Sequence, residues 1–352
     1  MTSHISFNPD MFRIARDLRE TTQAVLSKKA QIPQGILSQF EHALRIPDEK
    51  QILAIANALD FPVDFFVQQG TDSPTGIIFH RKRSVLKVRT KLRIEAEVKL
   101  RLHCLKLLLP ELDIEKNVIK FDLEEFSNNP LRVAQALRHF WKVSSGPIKN
   151  LTELLEDNGI AIIRFDFGSD LLDGFFIEDE LPCIAINSRF PGDRQRFTLA
   201  HELGHLVMHS IPHDDIEDEA NKFASEFLMP QETIDEYFRN KRVDIRLLAA
   251  LKPIWRVSMA ALLRRAKDLG YITESNAKRL IIEMNACGYR KKEPIDIPLE
   301  KSSLSDEIVE EFKSVMDYSD EDLSKIMHLK QQDYMRFFLP MKNFPLMFAL
   351  CP

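Results

Sequence analysis

The feature that most constrains this chain is the stretch His201-Glu-Leu-Gly-His-Leu-Val-Met-His209. A helix advances about 100° per residue, so His201 and His205, at i and i+4, point about 40° apart on one face. Two imidazoles so placed can reach a single Zn²⁺ at about 2.0–2.1 Å. Glu202 stands on the rim of that face, turned towards a water beside the metal rather than towards the metal. Leu199, Leu203 and Leu206 fall on the opposite side and are expected to bury it. Gly204 is expected to clear space where substrate or metal approaches. Asp193 is expected to cap the helix, which runs through His209.

A catalytic zinc takes three protein ligands and keeps a further position open. The next helix, Glu217-Asp-Glu-Ala-Asn-Lys-Phe-Ala-Ser-Glu-Phe-Leu-Met-Pro230, offers the third. Glu217 and Asn221 share a face, so Glu217 can ligate while Asn221 hydrogen-bonds the second ring nitrogen of a ligating histidine. Spacing alone does not separate Glu217 from Glu219, and Glu226 lies further along. A His, His, carboxylate set also suits Mn²⁺ or Fe²⁺. With zinc, water's pKa falls from about 15.7 towards 7, and Glu202 serves as the general base of peptide hydrolysis. His209 and His213 read as surface or structural histidines, or as groups that steady an oxyanion.

Around this stretch the pattern is α+β and mostly helical. Asn8-Pro9, Thr21 or Thr22, Pro33 and Asp48 each read as the start of a short amphipathic helix, giving an all-α domain over residues 1–70. Residues 71–145 read as a basic helical connector. There Arg81, Lys82, Arg83, Lys87, Arg89, Lys91, Arg93, Lys99, Arg101 and Lys106 face only Glu95 and Glu97, either as a solvated face or as a phosphate- or partner-contacting one. Ile160 to Phe165, Gly174 to Ile177 and Cys183 to Asn187 read as strands of a small antiparallel sheet. The last of these is a candidate edge for peptide binding by strand addition. The metal-site domain spans 146–240, a helical extension 241–300 and a helical tail 301–352. Lys291 to Pro298 reads as a linker between the last two.

Two longer patterns resemble known families. Gly146-Pro-Ile-Lys-Asn-Leu151, Arg196-Phe-Thr-Leu-Ala-His-Glu-Leu-Gly-His205 and the Glu217 to Pro230 stretch resemble the ImmA/IrrE metallopeptidases. That resemblance implies a gluzincin-like fold, Zn²⁺ as cofactor, Glu217 as third ligand and a repressor protein as substrate. Thr22-Gln23, Pro33-Gln-Gly-Ile-Leu-Ser-Gln-Phe-Glu41 and Phe61-Pro-Val-Asp-Phe-Phe66 resemble the Cro/C1-type (XRE) helix-turn-helix. On that pattern Gln23 and Ser38 would touch phosphates, while Gln34 and Gly35 would face base edges, usually in a dimer reading two half-sites.

Composition adds mainly exclusions. The net charge of -5 gives no whole-chain signature of nucleic-acid binding. Cys104, Cys183, Cys287 and Cys351 form no Cys-x-x-Cys pair, so neither a cysteine zinc module nor a disulfide scaffold is expected. No leader peptide or membrane span is expected, and a cytoplasmic location fits best. Two functions follow: a DNA-associated zinc endopeptidase that cuts a regulatory protein, or a helix-turn-helix regulator whose metal site is a sensor or structural clamp without proteolysis.

Overall fold

A computed structural model describes residues 7–68, 78–79, 86–109, 117–210, 213–301 and 304–339. Its contacts divide the chain into two units. One gathers Met1–Thr75, Leu86–Ile114 and Ser303–Pro352; the other holds Gly76–Val85 and Glu115–Ser302. Among the described residues no helix is long and apolar enough to cross a membrane.

The first unit begins with α1 (Pro9–Leu18), α2 (Gln23–Ala30), α3 (Gln34–Glu41) and α4 (Glu49–Leu59). Local chemistry sets their ends. The Asn8 side chain accepts from the Asp10 and Met11 amides with proline at the first turn, Thr22 accepts from Val25, and Asp48 with Gln51 forms a reciprocal capping box. Gln31 closes α2 in the left-handed region at φ 54°, the position between α2 and α3 where glycine is the easier residue. A 3-10 turn at Val63–Phe66 then packs Phe61, Phe65 and Phe66 beside Phe12.

The basic stretch forms α5 (Val88–Leu108), which is an interior helix of this unit. Ala96, Leu100, Cys104, Leu105 and Leu108 join the core of α1–α4. Arg93 and Arg101 close on the buried Glu97 from one turn either side, and Lys91 lies 3.7 Å from Glu95. The charge bias is therefore partly consumed by ion pairing along the helix; Arg81, Lys82 and Arg83 lie outside the described residues. The chain re-enters the same core at α14 (Leu304–Ser314), α15 (Asp320–Ile326) and α16 (Gln331–Phe338). Asp333 on α16 pairs with Arg19 beside α1. In space, the residues 71–145 are thus shared between units, and the tail packs with the N-terminal helices.

The second unit contains α6 (Pro130–Phe140), α7 (Leu151–Asp157), β1 (Ile78–Phe79), β2 (Ala161–Phe165), β3 (Gly174–Ile177) and β4 (Cys183–Asn187). Among the described residues the sheet has four strands in the order β1-β3-β4-β2. β3 pairs antiparallel with β1 and β4, whereas β2 runs parallel to β4, with Ala161 opposite Cys183 and Phe165 opposite Asn187. The sheet is thus largely antiparallel with one parallel pair, because the chain passes from β2 to β3 and then returns between them. β4 is accordingly interior and buried along its length. Its backbone is committed to β3 and β2, so Cys183 to Asn187 offers no edge for strand addition.

Over this sheet lies α8 (Gly192–Met208), followed by α9 (Ile216–Leu228), α10 (Gln231–Phe238), α11 (Ile245–Trp255), α12 (Met259–Asp268) and α13 (Glu274–Ala286). Pro191, not Asp193, is the residue before α8; Asp193 stands inside the first turn, where its carboxylate accepts the Arg194 amide at 2.8 Å. The same carboxylate meets Lys252, which also holds Glu293, at 2.7 and 2.6 Å. Lys291 to Pro298 is not a free linker. Glu293 receives the Met259 amide at the start of α12, Ile297 is buried, and a Cβ on Gly192 would come within 2.7 Å of the Ile297 and Pro298 carbonyls. Two residues on, Glu300 accepts from the Leu151 and Thr152 amides and pairs with buried Arg196. Burial lowers the Arg196 guanidinium to about 9.

Candidate metal centre

α8 carries His201, Glu202 and His205, all almost fully buried. Leu199, Leu203 and Leu206 on its far side are in the core, as the helical spacing requires. From β3, Phe176 stacks on the His205 ring at 6.2 Å between centroids. The position of α9 across α8 is set by Gly204. A Cβ there would stand 2.9 Å from Cδ1 and 3.2 Å from Cγ of Phe223. Gly204 therefore admits the neighbouring helix, and not a substrate or metal.

That approach brings Glu217, in the first turn of α9, onto the histidine pair. His201 Nε2 and His205 Nε2 are 3.1 Å apart; His201 Nε2 lies 3.6 Å from Glu217 Oε2, and His205 Nε2 lies 3.6 Å from Glu217 Oε1. A four-coordinate ion with bonds of about 2.0–2.1 Å separates its donors by about 3.3–3.4 Å. The spacings are close to that value, with the carboxylate facing both rings, and two imidazoles with one carboxylate are a donor set zinc accepts. Burial raises the Glu217 carboxyl, but hydrogen bonding and charge from His201 and His205 outweigh it and hold the group below the ordinary range. Glu217 is therefore ionised, as a ligand must be.

Glu219 points elsewhere. Its carboxylate lies 3.0 Å from His209 Nε2 and 3.3 Å from His213 Nε2. His209 is buried, and its Nδ1 sits 2.9 Å from Nδ1 of His205. Burial, then the neighbouring histidines, depress the His209 imidazole to about 3, so it is neutral at ordinary pH. A histidine that ligates through Nε2 carries its proton on Nδ1 and needs an acceptor there. The group placed to accept from His205 Nδ1 is Nδ1 of a neutral His209. Asn221 does not fill this place: its amide donates 2.7 Å to the Glu217 carbonyl within α9. Nδ1 of His201 is buried without a hydrogen-bond partner among the described residues. Repetition of histidine at 201, 205, 209 and 213 is the signal in the sequence for this extended chain of contacts.

Glu226 belongs to a different interaction. It forms a buried ion pair with Arg265 of α12 and accepts from Gln135 of α6 at 2.8 Å, tying three helices together below the site. His201 and Glu202 open onto a cleft of about 1150 Å³, also lined by Thr198, Asn221, Arg264 and Ile297.

In the first unit, Gln34 and Gly35 are exposed at the start of α3, and Ser38 is half-buried one turn later. Gln23 is not free for a phosphate, since its amide donates 2.7 Å to Glu41, which also pairs with Arg16.

Comparison with known families agrees with this division. Residues 155–267 match the IrrE N-terminal-like domain of a peptidase family, and residues 12–66 match a helix-turn-helix domain. No curated protein matches the chain. The chain is therefore a fusion of an XRE-type helix-turn-helix domain with an ImmA/IrrE-like domain of the metallopeptidase type.

Proposed function

We propose that the protein is a DNA-associated zinc endopeptidase that hydrolyses a regulatory protein, such as a repressor, in the cytoplasm. The observation that carries this reading is the grouping of His201, His205 and Glu217 with Glu202 beside it, where His201 and Glu202 line a cleft of about 1150 Å³. Those three residues would hold the ion, which supplies Lewis acidity towards a peptide carbonyl and lowers the pKa of water. Glu202 takes the proton of the attacking water and delivers it to the departing amine. His205 is oriented from behind by His209 and Glu219, and His201 is fixed by burial in α8.

The N-terminal unit would bring this activity to DNA through Gln34, Gly35 and Ser38, with a dimer matching two half-sites. Metal content of the purified protein tests the core of the proposal. About one zinc per chain is expected, lost in His201→Ala and in Glu217→Ala but kept in Glu202→Gln, which should lose hydrolysis alone. Wild-type protein that takes up no metal when zinc is supplied would refute the peptidase reading and leave a helix-turn-helix regulator.

A further inference from the structure

The chain of contacts behind His205 ends in a second cluster of ligand type. His209 Nε2 and His213 Nε2 converge on one oxygen of Glu219, at 3.0 and 3.3 Å, and one donor atom from each of the three residues lies within 4.8 Å of the others. The cluster differs from the first in its access. His209 is shut in, whereas the His213 side chain is 44% exposed and that of Glu219 18%. Solvent reaches it without passing through the cleft residues Thr198 and Asn221. It also uses none of the residues that form the first triangle.

We infer that His209, His213 and Glu219 form a second divalent-metal site, of the class that takes Zn²⁺ or Co²⁺. It goes beyond the peptidase reading and stands without it. The donors are two imidazole nitrogens and a carboxylate; the 3.3 Å distance from His213 to the oxygen equals an edge about a tetrahedral ion, and the 3.0 Å distance from His209 is a few tenths of an ångström shorter.

The two clusters adjoin, since Nδ1 of His205 lies 2.9 Å from Nδ1 of His209.

The test uses metal-free full-length protein, titrated with Co²⁺ alone and followed by visible absorption and by metal content after dialysis. Wild type, His201→Ala, His213→Ala and the double variant are compared, with circular dichroism to show that each is folded. The expected result is two ions for wild type, one for each cluster. Each single variant should keep one ion and the double variant none. Equal stoichiometry in wild type and His213→Ala overturns the second site, whatever His201→Ala does. A single ion that survives His201→Ala and disappears in His213→Ala supports the second site and removes the first.

Discussion

Replacing Gly204 with alanine adds one carbon, and the surroundings of that carbon set the size of the effect. The new Cβ would lie 2.9, 3.2 and 3.3 Å from three carbons of Phe223, where unstrained carbon contacts are about 3.5–4.0 Å. Phe223 is fully buried and stacked on Phe227 at 5.5 Å and 11°, so its ring has no room to swing aside. The strain is relieved by α9 moving away from α8. Overpacking of this kind costs about 1–3 kcal/mol, offset by about 1 kcal/mol from removing a mid-helix glycine. A net loss of about 0–2 kcal/mol follows, and each kcal/mol lowers Tm by about 2–4 °C in a unit of this size. The larger consequence is for the metal. Glu217 rides on α9, and a shift of some tenths of an ångström opens both 3.6 Å edges of the triangle. Loss of outer support for a ligand weakens metal binding by about 10–100-fold, and a similar loss is expected here. Competition with a chromophoric zinc chelator measures it, while tryptophan fluorescence of chelator-treated protein gives the melt. Adding Phe223→Leu should recover part of the affinity. Zinc affinity equal to wild type in Gly204→Ala would refute the claim that this glycine places the third ligand.

Other expectations are independent of that one. Arg265→Ala leaves Glu226 buried without its cation and should destabilise the metal-site unit by about 3–5 kcal/mol, read as a lower urea midpoint of tryptophan fluorescence. Burial, then the positive charge of Lys106, lowers His103 of α5 to about 4 from an ordinary 6.5. Unfolded chain therefore binds this proton first: stability is intact above about pH 6.5 and is lost progressively down to about pH 4, by up to about 3 kcal/mol. Urea melts followed by circular dichroism at pH 7.5 and 4.5 should show this slope flattened in His103→Gln; an unchanged slope would place the acid sensitivity elsewhere. Gly35 has no neighbour within 4 Å of an added Cβ, so Gly35→Ala should raise stability by about 0.5–1 kcal/mol. If α3 reads base edges, the same variant should weaken a gel shift, and unaltered DNA binding would exclude that contact.

What was readable in the sequence follows the range of the forces involved. Asn8, Thr22 and Asp48 mark helix starts because a cap acts over three residues. Gly174–Ile177 and Cys183–Asn187 are bounded by turn residues and emerge with the expected limits. The histidine pair is legible because one helical turn suffices to bring it together. Strand order is not, since the parallel pairing of β2 with β4 depends on where β3 goes. Nor is the role of Asp193, whose partner Lys252 lies on another helix, or of Gly204, whose reason is a ring on α9. The basic run around α5 reads as surface by composition, yet Glu97 neutralises part of it within the helix and the apolar side chains between the charges enter the core. Glu217 and Glu219 are equivalent by spacing, and only the course of the chain between α8 and α9 sends them to different histidines.

The discontinuity of the first unit bears on how the protein is made. Arg19 and Asp333, which meet at 2.5 Å, are separated by 314 positions in the chain. At about 5–20 residues per second, a ribosome takes about 15–60 s to pass from one to the other. During that interval the helices made first have no α16, and the whole of the metal-site unit is synthesised and free to fold ahead of them. The helix-turn-helix unit is thus completed after the second unit, and a truncated product stopping short of α14 would carry His201, His205 and Glu217 beside an unfinished helical core.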